Sequence, residues 1–361
     1  MHTWHEVSRR HPCPVCSKPD WCSSSADGAW AICRRLETGA GVHRLDKAGA
    51  DYWLYRLDGQ RLGTRPAREV PPQPATTCAD TATLHRVYRA LLTARPLSTA
   101  HRQALRQRGL SDPEMARRGY RTLARRGRAA LARRLVDHFG ADICTQIPGL
   151  YVVERDGQRW WSLAGAPGLL IPVRDVAGRI VALKVRADAP GDGPRYTTVS
   201  SAKHGGPGPG ASVHVPLHDG VHDATVRVTE GELKADVATA LSGMLTMALP
   251  GIAMWRKALP VLHALTPQQV RLSVDADWRT NPHVGRALAQ SALALVDAGY
   301  LVLVEVWDPG QGKGIDDVLA AGHLPTLQTP ALAFGAGVQA RARVWTEGLR
   351  TIGAEEVPPW R

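Results

Sequence analysis

From Asp223 onward the chain alternates between two patterns. Strand-like ATVRVT is followed by helix-like GELKADVATALS, which stops at Gly243; then come MLTMAL, a further helix, QQVRLSVD, the helix VGRALAQSALALVDAG and YLVLVEVW. Short apolar runs separated by helices are βαβ units, because parallel neighbours need a crossover long enough to bring the chain back. The expected fold class is α/β, a mostly parallel sheet with flanking helices over about residues 223–325. In such a sheet the strands point one way, so residues leaving the C-terminal ends of ATVRVT and QQVRLSVD gather along one edge, where ligands bind.

The rest of the chain is expected to precede that sheet as a small β-rich module (1–62), a Pro-rich linker (63–82), an Arg-rich helical segment (83–147) and a β-hairpin region (148–222), with a C-terminal tail (326–361). In LHRVYRALL the apolar Leu84, Val87, Tyr88, Leu91 and Leu92 recur at helical spacing, and LSTAHRQALRQRGLS reads as a helix stopping at Gly109. GLLIPVRDVAGRIVALKVRA reads as a hairpin turning at DVAG.

Several acids fall on the strand edge. Glu230 ends ATVRVTE, and Asp275 and Asp277 are placed by strand periodicity on one side of the sheet. Asp316 and Asp317 open a helix beside Lys313, and Asp308 is a further contributor. Carboxylates crowded in this way are costly without a cation, and hard oxygen ligands suit Mg²⁺ or Mn²⁺. The alternative for single acids is capping: Thr229 with Glu232 fits a capping box, and Asp317 fits a helix cap.

Cys13, Cys16, Cys22 and Cys33 in CPVCSKPDWCSSSADGAWAIC predict a structural Zn²⁺ held by four thiolates, with His11 or His43 in place of one Cys as the variant. A module of this size cannot bury a stable core without such a staple. Cys78 and Cys144 stand alone. Trp21 and Trp30 flank the last two ligands and are expected to pack over the metal, the alternative being stacking on bases.

The formal charge is +12, and Thr83–Leu135 alone carries fourteen Arg against Asp112 and Glu114. The excess therefore belongs to one segment, which predicts contact with a polyanion, the alternative being a solvated basic face. No apolar run is long enough to span a membrane and MHTWHEVSRRHPC has no signal-peptide core, so a cytoplasmic protein with no membrane partner is expected.

EG at 230–231, DAD at 275–277 and KGIDD at 313–317, each after an apolar strand, resemble the TOPRIM domain of bacterial and phage primases, topoisomerases and some nucleases. The resemblance implies catalytic and metal roles for Glu230, Asp275, Asp277 and Asp316. Many members of that family carry a further acid four residues after the Glu, where this chain has Lys234. The segment 168–201 is similar to the one that precedes TOPRIM in bacterial-type primases, and the N-terminal cysteines resemble the heads of phage and plasmid replication proteins. The composite expectation is a TOPRIM-type parallel sheet preceded by a small β-rich zinc module, a helical segment and a primase-like β-hairpin region. Arg186, Arg195, Tyr196, Lys203, Lys234 and Lys313 are the candidate nucleic-acid or nucleotide contacts.

The implied function is a mobile-element DNA primase using single-stranded DNA and nucleoside triphosphates with catalytic Mg²⁺ or Mn²⁺. A metal-dependent TOPRIM nuclease and a noncatalytic zinc-containing DNA-binding replication factor are the alternatives. A topoisomerase would need a positioned Tyr in large additional domains. GQGKG at 310–314 lacks the spacing and hydroxyl of a P-loop, so a separate replicative helicase is the expected partner.

Overall fold

Residues 3–19, 21–35, 41–46, 51–57, 77–190, 193–220 and 224–334 are described in a computed structural model. Most of the expected linker lies outside them. The chain divides into two units: residues 1–106 with 111–212, and residues 213–361 with the short stretch 107–110.

The first unit begins with an antiparallel sheet of β1 (Trp4–Glu6), β2 (Ser23–Ser25), β3 (Trp30–Cys33), β4 (Val42–Leu45) and β5 (Asp51–Arg56), in the order β1-β2-β3-β5-β4. Its core is Val7, Ala31, Trp53 and Tyr55 together with Cys13, Cys22 and Cys33. So few apolar side chains leave the thiols as the centre of the module.

Helix α1 (Thr81–Thr93) starts where the Asp80 carboxylate accepts the Thr83 N–H at 2.8 Å. It buries Leu84, Val87, Tyr88 and Leu91 against Leu170, Ile180, Leu183 and Val185. Each such side chain contributes ~1.5–3 kcal/mol on burial. α2 (Thr99–Gln107) and α3 (Asp112–Arg118) follow, and then β6 (Arg121–Leu123), a strand inside the segment expected to be helical. Gly119, in the left-handed conformation, ends α3 and releases the chain to pair with β9. α4 (Arg128–Phe139), α5 (Ala141–Cys144) and the hairpin β7 (Leu150–Arg155)–β8 (Gln158–Leu163) come next. β9 (Gly168–Arg174) and β10 (Ile180–Ala187) form the hairpin expected at DVAG, and β11 (Tyr196–Thr198) completes an antiparallel sheet in the order β11-β10-β9-β6.

The second unit contains β12 (Thr225–Glu230), α6 (Glu232–Ser242), β13 (Thr246–Leu249), α7 (Ala258–Leu265), β14 (Gln269–Leu272), α8 (Pro282–Asp297), β15 (Leu301–Val306), α9 (Ile315–Ala320), β16 (Thr326–Gln328) and α10 (Pro330–Phe334). Its sheet runs β13-β12-β14-β15-β16, parallel except for antiparallel β16. Val226, Val228, Val270, Leu272, Val302 and Val304 are among the buried strand residues of its apolar core. A charged group is buried across the same strands: Arg227 on β12 pairs with Glu305 on β15 at 2.8 Å, and Ser273 donates to the same carboxylate. Breaking one partner would leave the other as a buried charge.

Two local expectations are corrected. β14 ends at Leu272, short of the acids, because Trp278 is drawn into the core and its N–H donates to the Asp275 carbonyl, curling 276–279 into a 3-10 turn. Thr229 and Glu232 do not form a capping box. Gly231 is the N-cap, at φ +87° where a side chain would be strained, while Thr229 lies within β12 with its hydroxyl buried and unpartnered among the described residues.

Candidate functional site

In the N-terminal module the sulfur atoms of Cys13, Cys16, Cys22 and Cys33 all lie within 4.8 Å of one another. Two come from the turn after β1, one from just before β2, and one from the end of β3. None of the four is disulfide-bonded, and the Cys16–Cys22 separation of 3.8 Å is far beyond disulfide length. Burial pushes the Cys16 thiol up to about 11, and the Cys22 thiol is raised by its hydrogen bond to Cys33 and by burial. Four thiols packed together, three of them buried, form a donor set that a cation takes as thiolates, and this set fits a structural Zn²⁺. Neither His11 nor His43 belongs to the cluster; the His43 ring lies tilted against Trp53.

The tryptophans depart from expectation. Trp53 packs in the module's core, whereas Trp21 is 67% exposed with the Arg35 guanidinium 5.0 Å over its ring. Trp30 is half-buried under Arg56. With the cysteines filling the interior, Trp21 is left on the surface.

In the second unit, Glu230 stands at the C-terminal end of β12 and its Oε1 accepts the Ile252 N–H. Burial raises its carboxyl above the ordinary range, the Ile252 bond opposes that, and Asp275 and Asp277 add repulsion. Asp275 accepts a hydrogen bond from the Lys234 ammonium, and Lys313 Nζ lies 3.5 Å from its other oxygen. Asp277, on the 3-10 turn, is exposed. Asp316, in the first turn of α9, is 3% exposed; Arg108 donates to its Oδ2 at 2.8 Å, while Oδ1 has no partner among the described residues. Burial, and then Asp317, raises its carboxyl.

Gly314 makes this approach possible: a Cβ there would lie 2.7 Å from Asp316 Oδ1 and 3.1 Å from Lys234 Cε. Asp317 caps α9 by accepting the Gly314 N–H, and Asp308 caps the turn at 309–311.

Four carboxylates thus meet three cationic side chains, and Glu230 and Asp277 are the two that form no ion pair among the described residues. These carboxylates do not close to the spacing of the thiol cluster, which is the single such group among the described residues. Glu230 and Asp277 are therefore the carboxylates left open to a divalent cation; with ammonium groups on both Asp275 oxygens the residues do not fit a pair. Lys234 and Lys313, expected as nucleotide contacts, are engaged with Asp275.

The remaining candidates lie in the first unit. Arg186 on β10 faces Tyr196 on β11 across the ladder; Tyr196 and Arg195 are exposed, and Arg186 Nε has no partner among the described residues. Lys203 is exposed on a short 3-10 turn whose His204 stacks on Tyr151 at 3.7 Å. About half of the fourteen arginines serve the fold. Arg95, Arg121 and Arg128 donate to backbone carbonyls, Arg118 pairs with Glu114, and Arg102 and Arg106 pair with Asp112. Arg86, Arg89, Arg125, Arg126, Arg133 and Arg134 are exposed.

Comparison with solved structures places this architecture. Primases share the fold. The zinc-binding and RNA polymerase domains of Aquifex aeolicus primase align with a TM-score of 0.52 at 12% identity, covering 77% of this chain and 74% of that one. The RNA polymerase domain of Mycobacterium tuberculosis primase DnaG aligns at 0.51 and 14% identity, over 76% of this chain and 98% of that one. The same domain in complex with a double-stranded DNA oligomer bearing a 6-nucleotide overhang aligns at 0.50 and 16%, over 77% and 94%. Residues 221–324 match a sequence family described as a domain of unknown function, DUF3854. No curated protein matches the sequence. Among the described residues no helix is long and apolar enough to cross a membrane.

Arg108 and the Ile252 N–H were not legible as site groups. Arg108 is one arginine among many in its segment, and Ile252 follows a strand whose place beside β12 only the sheet order reveals.

Proposed function

We propose that the chain is a primase-type nucleotidyltransferase of a mobile element, making short oligonucleotides on single-stranded DNA from nucleoside triphosphates. The observation that carries this reading is Glu230 at the end of a parallel strand beside Asp275 and Asp277, on a fold shared with primases that also places a four-thiol cluster near the N-terminus. In the reaction a 3′-hydroxyl attacks the α-phosphate of an incoming nucleotide, the new phosphodiester forms and pyrophosphate leaves.

Glu230 and Asp277 would hold a Mg²⁺ or Mn²⁺ ion. Such an ion supplies Lewis-acid stabilisation of the charge developing on the transferred phosphoryl group. Lys234 and Lys313 fix Asp275, and Arg108 fixes Asp316, so these acids cannot swing into the substrate's path. This edge is the TOPRIM element of the reading. Arg186, Arg195, Tyr196 and Lys203 would contact template or triphosphate, and the zinc module with exposed Trp21 would engage unpaired bases at the start site. The sequence has no P-loop, so unwinding is assigned to a separate helicase.

A second reading, a noncatalytic DNA-binding factor, is favoured by one observation, the Lys234–Asp275 ion pair inside the site. The two separate in one assay with single-stranded DNA, labelled nucleotides and Mg²⁺ or Mn²⁺. Labelled oligonucleotides that disappear in the Asp275→Ala/Asp277→Ala double variant support priming. DNA binding without synthesis supports the second reading, and template degradation supports a nuclease.

A further inference from the structure

Lys234 lies in the first turn of α6, close behind the Gly231 turn that presents Glu230, and its ammonium reaches Asp275 in the turn after β14. Lys313 covers the other Asp275 oxygen from the loop before α9. Asp316 is nine-tenths buried, and its unpartnered Oδ1 points into the space beside Gly314, where the Lys234 side chain also runs. We propose that the Lys234 ammonium occupies the place of one divalent cation, so that this edge takes a single divalent ion, on Glu230 and Asp277, instead of a pair. The inference rests on the reading of this edge as a nucleotidyl-transfer site.

Charge and space both support it. Four carboxylates against Lys234, Lys313 and Arg108 leave one net negative charge, which a single divalent ion neutralises and exceeds. A pair would bring four positive charges next to three already present, in a part-buried setting where like charges repel strongly. A second ion bridging Asp275 and Asp316 would also have to displace the ammonium from Asp275 Oδ1 and the guanidinium from Asp316 Oδ2. An ammonium is a hydrogen-bonding point charge fixed to the chain. It holds Asp275 in place and attracts the neighbouring Asp316 at any metal concentration, which makes Lys234 a positioning residue.

The test is a Mn²⁺ titration of the zinc-loaded full chain, with bound ion counted by electron paramagnetic resonance, beside Lys234→Asp, Lys234→Ala and Glu230→Gln; circular dichroism checks folding. The wild type is expected to bind one Mn²⁺, lost in Glu230→Gln, and Lys234→Asp is expected to bind two. Lys234→Ala, which removes the ammonium without adding a carboxylate, should bind Mn²⁺ about tenfold or more tightly than wild type. Two ions in the wild type, one in a folded Lys234→Asp, or unchanged affinity in Lys234→Ala would each overturn the proposal. No Mn²⁺ bound by any form would overturn the metal reading of the edge itself, and the proposal with it.

Discussion

The thiol cluster takes all four members from one run, Cys13 to Cys33, whereas the carboxylates come from the end of β12, the turn after β14 and the start of α9, with Arg108 added from outside the sheet's sequence. The first centre is assembled by local chain geometry, the second by strand order. A local cluster is the core of its own small domain, so metal and fold stand or fall together. A cluster at a sheet edge is carried by a scaffold already stabilised elsewhere, so its charges can be exchanged without loss of the fold.

This contrast can be broken most sharply with a chelator. Stripping the cation from the thiol cluster should unfold the N-terminal module, removing on the order of 10 kcal/mol of coupled stability, and limited proteolysis should cut within residues 3–57 while 213–334 stays protected. Cleavage throughout would mean that the two centres are not independent. The converse experiment strikes the sheet. Glu305→Ala leaves Arg227 buried without its partner and should cost roughly 3–5 kcal/mol. Thermal melting reads the loss, and thiol-reactivity assays should find the cysteines as protected as before.

Trp21→Ala sharpens the comparison from the surface side. With the ring 67% exposed, melting should be unchanged, while single-stranded DNA binding, followed by fluorescence anisotropy, should weaken by roughly 1–3 kcal/mol if the ring stacks on a base. Equal loss of stability and binding would return Trp21 to the module's core.

The smallest effect belongs to a group that is a member of neither cluster. His85 on α1 accepts the Ile180 N–H at 3.0 Å through Nδ1, and burial lowers its pKa from the ordinary value of 6.5. The folded state therefore prefers neutral imidazole. Its contribution is complete above about pH 6.5 and is lost as pH falls from there through the depressed folded value. His85→Asn should flatten that part of the melting profile, and an unchanged slope between pH 5 and pH 7 would contradict the assignment.

The sequence was most legible where chemistry is local or periodic. The cysteine spacing marked the thiol cluster, and the strand–helix alternation after residue 223 marked the parallel sheet, because both signals are written into neighbouring residues. It misled where tertiary packing overrides pattern. QQVRLSVD alternates like a strand through Asp275, yet burial of Trp278 turns the chain after Leu272. TEGE matches a capping box, yet the strand continues through Glu230 and Gly231 makes the turn. The strand RTL was hidden because so short a segment carries little periodic signal and gains its place only by pairing with β9. Much of the arginine excess is spent on backbone carbonyls and local acids, a use that composition cannot distinguish from a nucleic-acid surface.

The central claim is that the acidic edge performs nucleotidyl transfer while nucleic-acid binding resides elsewhere. Measuring labelled-primer synthesis and single-stranded DNA affinity on the same preparations of wild type and Glu230→Gln tests it directly. The account predicts template-dependent oligonucleotides from the wild type, at least ~100-fold less from the variant, and equal DNA affinity for both. Equal synthesis by the two proteins, or no synthesis by the wild type despite DNA binding, would contradict it.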